Sequence, residues 1–365
     1  MTIVFVPAFF CAFLIACFVC FGVRRVPILD DAAAESHKTH SGTMPTGGGL
    51  GIWLGVVGTF VIATVGLLLV DRFPGSRLLP GDVAVHIPGL LSKLGQLWTL
   101  LGLGSVLFVL GTFDDRYKLS WKIRLLVQFM VAIAVVSLGF RITAFIDIPL
   151  LTAALSVLWI VALTNSFNML DNMDGLSAGV AVICSVFLAV VMFLTPNATG
   201  PQLFICGFLV VLLGSLCGFL VHNNPFRTRL FMGDGGAYFI GFLLACATLT
   251  ATFTGYGNEH RPQTLFVPLL ILAVPLYDTT TVVLIRFREG RSPFSGDKNH
   301  FSHRLVDLGL SRRHAVLTIY LTTATCCIGA LLLYQVDIVG ASLIVLQTGL
   351  TLAIIAVLES RRKRH

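Results

Sequence analysis

Residues 149–175 read PLLTAALSVLWIVALTNSFNMLDNMDG, and the character of the chain changes at residue 165. The 16 residues before that point carry no charge and are mostly apolar, whereas the next 11 include three Asn and two Asp. A helix needs roughly 20 mainly apolar residues to cross the hydrocarbon core of a bilayer. The stretch therefore predicts a membrane-spanning helix with an unusually polar loop at its end.

The same alternation of apolar runs and short polar connections extends along the whole chain. Of the 365 residues, 56% are hydrophobic and only 12% are charged, a more apolar balance than soluble domains have. No polar connection is long enough to fold alone, so we expect a single all-α polytopic membrane domain over residues 1–365. Eleven spans are predicted, at residues 2–22, 46–70, 94–113, 123–140, 149–164, 176–194, 202–221, 236–254, 264–285, 314–334 and 338–358.

The distribution of positive charge predicts the orientation of these spans, because Lys and Arg are enriched on the cytoplasmic side of membrane proteins. We interpret the first segment as a retained span and not a signal peptide, because Arg24 and Arg25 follow its apolar run and no basic residue precedes it. This places the N-terminus outside and the C-terminus in the cytoplasm. Twenty of the 25 Lys and Arg residues then fall in the inner segments 23–45, 114–124, 165–175, 222–235, 286–313 and 359–365.

The formal net charge of +7 therefore reflects membrane topology, and we expect no nucleic-acid partner. The acidic residues are distributed just as unevenly. Six Asp side chains lie at the inner ends of predicted spans, where each costs several kcal/mol near hydrocarbon unless it is hydrated, paired or metal-bound. Caps at separate helix ends would be an alternative explanation for any one of them, but the set suggests a common purpose. The six are Asp114, Asp115, Asp171, Asp174, Asp234 and Asp297.

Carboxylates and amides are suitable ligands for a hard cation such as Mg²⁺, with Mn²⁺ as the alternative ion. The inner segment 286–313 adds His300 and His303 among several Lys and Arg residues, a cationic surface suited to phosphate. Carboxylates for a metal and bases for phosphate together indicate phosphoryl transfer, in which positioning and charge neutralisation do most of the work.

Five short motifs in this order resemble the polyprenyl-phosphate N-acetylhexosamine-1-phosphate transferases of the glycosyltransferase 4 type. The resemblance runs from about residue 20 to about residue 315 and places every motif on the predicted inner face. The motifs are HKTHSG at 37–42 followed by Pro45 and Gly47–Gly48, the pair Asp114–Asp115, NSFNMLDNMDG at 165–175, FMGD at 231–234, and His300 with His303–Arg304–Leu305.

The resemblance implies a role for each matching residue. Asp234 and Asp171 would bind the metal, while Asp114 and Asp115 would organise or deprotonate the attacking lipid phosphate. His300 and His303 would handle the substrate phosphates, and with Asp114, Asp115 and Asp171 they form the expected catalytic set. Substrate-binding residues would be Lys38, His40, Asn165, Asn168, Asn172, Asp174, Asn224, Phe231 and Arg304.

The resemblance also implies the reaction, the partners and the location. A UDP-sugar would give HexNAc-1-phosphate, most simply GlcNAc-1-phosphate, to undecaprenyl phosphate, with release of UMP at the cytoplasmic face of the bacterial inner membrane. The partners are then the two substrates and the lipid bilayer, and a homodimer is left open. The first loop and the terminal Arg304–Leu305 are similar to the branch that starts surface polysaccharides.

Three other interpretations stay open from the sequence. The peptidoglycan branch, which transfers phospho-MurNAc-pentapeptide, usually ends in a His-His-His-Phe-Glu run that this chain lacks. A transporter or flippase would also need polar groups in the membrane, though near its middle, and a scaffold with a decayed site would not need to keep the acids. Asp278, inside a predicted span, has either a role in the substrate groove or a helix-packing hydrogen bond.

The chain also departs from the family pattern in three places. Asn172 stands where the family usually has Gly, Ser302 replaces a histidine, and Arg227–Thr228 replace the usual Pro-Ala. None of the three departures removes a carboxylate. We therefore expect activity to be kept, while the identity of the sugar stays open.

Overall fold

A computed structural model of the chain describes residues 2–25, 45–73, 86–142, 148–194, 202–251, 253, 262–292 and 299–360. These residues form helices joined by short connections, with one very small hairpin. The helices are α1 (Thr2–Val23), α2 (Gly48–Arg72), α3 (Ile87–Tyr117), α4 (Trp121–Ser137), α5 (Pro149–Leu170), α6 (Leu176–Leu194), α7 (Leu203–Leu220), α8 (Asp234–Thr250), α9 (Val267–Ile271), α10 (Ala273–Arg288), α11 (Phe301–Asp307), α12 (Arg312–Leu332) and α13 (Ile338–Ser360), and the strands are β1 (Asn223–Asn224) and β2 (Arg227–Thr228).

The architecture is that of a multi-pass, all-helical membrane protein. Within the described ranges, eight helices are long and apolar enough to cross a membrane, and a bent helix pair would make a ninth span. The other two predicted spans correspond to α4 and α8, each of 17 residues. The helical, polytopic prediction is confirmed, while the count of eleven spans and their orientation remain predictions.

Helix α8 lies at the centre of the bundle. It packs against α2, α3, α5, α6 and α7, and every residue from Gly235 to Thr248 is buried. A helix that is apolar on all sides is stable only when other elements surround it. Its first residue, Asp234, is the only charged residue of the helix, so this carboxylate lies where the surrounding helices end.

Two close backbone approaches bring α2 and α3 against the start of α8. A Cβ on Gly111 of α3 would lie 2.5 Å from the Cα of Gly235, and one on Gly49 of α2 would lie 2.6 Å from the nitrogen of Gly236. Glycine permits such approaches because it has no side chain at the crossing. The two helices therefore contact the backbone of α8 directly beside Asp234.

The predicted span 264–285 is interrupted in the structure. A 3₁₀ turn at Pro262–Phe266 and α9 precede α10, and the chain direction bends by 66° between α9 and α10. Pro275 has no N–H, so it cannot bond the carbonyl of Ile271 four residues earlier. The thiols of Cys184 and Cys327 donate to that carbonyl instead, at 3.2 and 3.7 Å, which satisfies the freed group within the bundle.

Candidate active site

Three helices meet at Asp234. Gly233 adopts a positive φ of 80° just before α8, a conformation that glycine reaches without strain. The backbone N–H of Asp234 donates to both carboxylate oxygens of Asp115 on α3, at 3.0 and 3.2 Å. The side-chain amide of Asn168 on α5 donates to Oδ1 of Asp234 at 2.8 Å. The structure thus brings three of the predicted site residues into direct contact.

Asp114 lies beside this group but is held differently. It is buried, with 3% of its surface exposed. Its Oδ2 accepts a 2.7 Å hydrogen bond from Nη1 of Arg124, and its Oδ1 accepts one of 2.8 Å from the N–H of Leu119. Both oxygens therefore have partners in the protein, and Asp114 fixes the turn between α3 and α4.

The electrostatics of the cluster are dominated by negative charge. Burial raises the pKa of Asp234 well above its usual range, and the neighbouring carboxylates of Asp115 and Asp114 raise it further. Desolvation and like charges both disfavour a second or third ionised carboxylate at one place. A bound cation would remove this penalty, so the donor set fits a hard divalent ion.

In the part of the chain that the structure describes, no group of three or more His, Cys, Asp or Glu side chains is arranged to hold a metal by itself. Mg²⁺ is usually bound by one or two carboxylates together with water and substrate phosphates, and not by a cage of protein ligands. Asp234 with a phosphate-bearing substrate matches that mode. Asp171, the second predicted metal ligand, lies three residues beyond Asn168, just after the end of α5.

The polar stretch that begins at residue 165 is partly helical, because α5 continues to Leu170. Asn165 lies on its last turns, and its Nδ2 donates to Oε1 of Gln128 at 2.6 Å and to the carbonyl of Val161 at 2.8 Å. The amide nitrogen of Asn165 therefore anchors α5 to α4. Gln128, a single amide within the apolar run of α4, was missed by the sequence reasoning.

The loop after α5 is fixed by its neighbours. Gly175 has a φ of 73°, and its N–H donates to Oδ1 of Asn223 at 2.5 Å while its carbonyl accepts from the hydroxyl of Tyr320 at 2.5 Å. The predicted residues Asp171, Asn172 and Asp174 are half-buried in this loop. Asn223 and Tyr320 position the loop but were not among the predicted residues.

Asn172 joins this loop to the histidine segment. Its Oδ1 accepts a hydrogen bond from Oγ of Ser302, and its Nδ2 donates to the carbonyl of Met169 at 2.7 Å. A second bond, of 2.8 Å, runs from the hydroxyl of Thr279 on α10 to that of Ser166 on α5. The two regions of predicted site residues therefore belong to one connected surface.

Two predicted substrate-binding residues have clear structural contacts. Asn224 forms the turn of the β1–β2 hairpin, where its Oδ1 accepts from the N–H groups of Phe226 and Arg227 at 3.1 and 3.0 Å. Phe231 pairs in parallel with Thr46, and its carbonyl accepts from the N–H groups of Gly47 and Gly48 at the start of α2. The start of α2 is thus fastened to the segment that leads to Asp234, while Lys38 and His40 lie outside the described residues.

His300 and His303 lie with their rings 6.4 Å apart. Nδ1 of His300 is 3.1 Å from Oδ2 of the fully buried Asp278, whose Oδ1 accepts a 2.6 Å hydrogen bond from the N–H of Phe301. With the carboxylate as acceptor, Nδ1 carries the proton and donates. Asp278 thus holds the histidine segment by two hydrogen bonds.

Arg304 is buried, and its guanidinium donates to Glu359 on α13 and to Thr281 on α10. It is therefore engaged inside the protein at the edge of the site. Glu359 was also missed, although it is the one acidic residue at the end of the last apolar segment, a signal that the sequence does contain.

Known proteins are similar to this chain along most of its length. The family model described as "Glycosyl transferase family 4" matches residues 97–252. A Bacillus subtilis (strain 168) protein named probable undecaprenyl-phosphate N-acetylglucosaminyl 1-phosphate transferase is 32% identical over 332 residues, which cover 87% of this chain and 81% of the relative.

Two further relatives extend the comparison to other bacteria. A decaprenyl-phosphate N-acetylglucosaminephosphotransferase of Mycobacterium tuberculosis (strain ATCC 25618 / H37Rv) is 32% identical over 82% of this chain and 74% of its own. An undecaprenyl-phosphate alpha-N-acetylglucosaminyl 1-phosphate transferase of Escherichia coli (strain K12) is 28% identical over 82% of this chain and 75% of its own. The matched region includes Asp114, Asp171 and Asp234, and with this likeness over most of its length the chain belongs to glycosyl transferase family 4.

Proposed function

We propose that the protein transfers GlcNAc-1-phosphate from UDP-GlcNAc to a polyprenyl phosphate, with release of UMP. The observation that carries this proposal is the contact of Asn168 and Asp115 with Asp234, the first residue of the central helix α8. The names of the relatives support the acceptor and the sugar phosphate. The bacterial inner membrane and a cytoplasmic active site belong to the proposal and follow from the distribution of Lys and Arg.

We propose Asp234 as the principal Mg²⁺ ligand and Asp171 as the second ligand. When bound, Mg²⁺ would neutralise the charge of the donor pyrophosphate and so favour departure of UMP. Asn168 keeps Oδ1 of Asp234 in one orientation through its 2.8 Å hydrogen bond, and Asp115 holds the backbone at the same residue. The protein thus sets the direction of the carboxylate before a substrate binds.

The two acids on α3 are expected to act in different ways. Asp114 has both oxygens engaged by Arg124 and Leu119, so it positions the end of α3. Asp115 is the less buried of the pair and is the one that we place against the acceptor phosphate. That phosphate is already largely ionised near neutral pH, so ordering and charge screening matter more than removal of a proton.

His300 is prepared for a phosphate contact by Asp278. Because Nδ1 is held by the carboxylate, Nε2 is the ring atom left for a substrate oxygen. His300 is the N-cap residue of α11, and His303 lies within the first turn of that helix. We assign both to the substrate phosphates. Because Nδ1 of His300 donates to Asp278, Nε2 would donate an N–H to a phosphate oxygen in the imidazolium form, in which both ring nitrogens carry protons.

The test is release of UMP by the purified protein in detergent with undecaprenyl phosphate, Mg²⁺ and a panel of UDP-sugars. We expect UMP from UDP-GlcNAc, none from UDP-MurNAc-pentapeptide, and none after addition of EDTA. UMP from the pentapeptide donor alone would assign the protein to peptidoglycan synthesis. No UMP from any UDP-sugar would reject the transfer reaction and favour a transporter or scaffold.

A further inference from the structure

Helix α13 is an outer helix with one buried acid at its end. Most of its large apolar side chains are exposed, among them Leu346, Leu350 and Ile354, as expected for a helix that faces lipid. Glu359 differs, because only 6% of its surface is exposed. A buried carboxylate is costly unless it is paired and hydrogen-bonded, so its partners indicate why it is there.

The partner of Glu359 is Arg304 of the histidine segment. Nε of Arg304 donates to Oε2 of Glu359 at 2.9 Å, and the two side chains are 4% and 5% exposed. The hydroxyl of Tyr277 donates to the same oxygen at 2.9 Å. The pair is therefore screened from water and reinforced by a third group.

The remaining nitrogens of Arg304 are also engaged by the protein. Nη2 donates to the hydroxyl of Thr281 at 2.9 Å, and Nη1 donates to the carbonyl of Asn299. Asn299 directly precedes His300, so the guanidinium links the residue before the histidine to α10 and α13. All three nitrogens of the guanidinium thus have acceptors within the protein.

We infer that Glu359 is a positioning residue for the histidine segment, and that Arg304 acts through Glu359 and not on the substrate. The inference rests on the proposed function, since the histidines are assigned to the substrate phosphates. Asp278 holds His300 from one side by hydrogen bonds to Nδ1 and to the next N–H. Arg304, held by Glu359, fixes the carbonyl of Asn299 from the other side.

Loss of Glu359 would leave a buried guanidinium without its counter-charge, and Arg304 would have to move or hydrate. The histidine segment would then lose one of its anchors while its own residues remain unchanged. Misplacement of a catalytic group by about 1 Å can cost on the order of a hundredfold in rate. Substrate affinity would change much less, because neither residue of the pair touches a substrate.

The experiment compares Glu359→Gln and Arg304→Ala with the control Gln347→Ala, an exposed polar residue on the same helix. The first readout is hydrogen–deuterium exchange of residues 299–307 in detergent. We expect faster exchange there in both variants and unchanged exchange in the control. This readout needs no turnover, so it tests the anchor even if the proposed reaction is wrong.

The second readout is steady-state kinetics per folded protein, measured with both substrates. We expect kcat to fall by roughly 10- to 100-fold in each variant, with each KM within about threefold of the wild type. Glu359→Asp, which keeps the charge, should recover most of the lost kcat. The double variant Arg304→Ala/Glu359→Gln should be no slower than Arg304→Ala alone, because both changes remove one interaction.

Three results would overturn the inference. The first is unchanged exchange of residues 299–307 in Glu359→Gln. The second is a much larger KM in Arg304→Ala than in Glu359→Gln, which would place the guanidinium on a substrate phosphate. The third is full additivity of the two changes in kcat. If wild-type protein releases no UMP while the exchange result holds, the proposed function fails and the anchor stands.

Discussion

The side-chain amide of Asn168 donates a 2.8 Å hydrogen bond to Oδ1 of Asp234, across 66 residues of sequence. It joins the last turn of α5 to the first residue of the buried helix α8. An amide donor at this position favours the ionised form of Asp234, while burial and neighbouring acids favour the neutral form. The balance between these effects determines how readily the carboxylate can receive a cation.

Asp234→Asn should lose turnover and keep the fold. The amide has nearly the same shape, so packing around the start of α8 is preserved, but it is a far weaker ligand for Mg²⁺. We expect kcat to fall by at least about a hundredfold and the elution volume in detergent to stay the same. UMP release at the wild-type rate would reject Asp234 as the metal ligand.

Asn168→Ala should weaken the affinity for Mg²⁺ without abolishing activity. The variant removes the group that orients Asp234, and loss of such a supporting partner typically costs about 10- to 100-fold in metal affinity. The measurement is the Mg²⁺ concentration that gives half of the maximal rate. Recovery of the full maximal rate at high Mg²⁺ would support a role in orientation, whereas no change at any Mg²⁺ concentration would contradict it.

The pH dependence of metal activation follows from the raised pKa of Asp234. Below that pKa the carboxyl holds a proton that the ion must displace, so the apparent affinity for Mg²⁺ should rise with pH and level off above it. Asp115→Asn removes the neighbouring negative charge and should shift this rise to lower pH. Calorimetry in two buffers of different ionisation enthalpy would count the protons released on binding.

The contact between Asn172 and Ser302 links the nucleotide loop to the histidine segment. Ser302→Ala and Asn172→Ala should each lower kcat by about fivefold, the effect of one lost neutral hydrogen bond of about 1 kcal/mol. The double variant should be no slower than either single variant. If the fold decreases in kcat of the two single variants multiply in the double variant, the two residues act separately.

Arg124→Met should destabilise the protein. The change leaves the buried carboxylate of Asp114 without its 2.7 Å partner, and a buried acceptor that loses its partner costs about 1–3 kcal/mol. We expect a lower midpoint of thermal unfolding in detergent, while Arg116→Met, at an exposed position in the last turn of α3, should leave it unchanged. Equal midpoints for the two variants would contradict a structural role for the pair.

Hydropathy alone located every helix long enough to cross a membrane, because the energy of a chain in lipid depends first on the length of its apolar runs. Local composition also located the acids and amides of the site. Local composition could not locate the interruption after Ile271, because a proline such as Pro275 produces either a tolerated kink or a break in a helix. The outcome depends on whether Cys184 and Cys327 reach the freed carbonyl.

The contacts of the residues that support the site could not be predicted from the sequence either. Gln128 is a single amide in an apolar segment, and nothing local distinguishes it from an exposed residue. Glu359 is noticeable as the one acid at the end of the last apolar segment, but the sequence does not show which residue it pairs with. Their meaning comes from contacts with Asn165 and Arg304, which are 37 and 55 residues away in the chain. For Asn224 the sequence predicted substrate binding, whereas in the structure its side chain makes the hydrogen bonds of a turn.

The pairing of Thr46 with Phe231 also has a consequence for biosynthesis. The N–H groups of Gly47 and Gly48 bond the carbonyl of Phe231, so the beginning of α2 has no completed surroundings until residue 231 has been made and inserted. During translation, Asp114 and Asp115 are synthesised long before Asp234. The nascent chain therefore contains Asp114 and Asp115 before Asp234 has been made. The candidate active site forms only when the second half of the protein packs against the first.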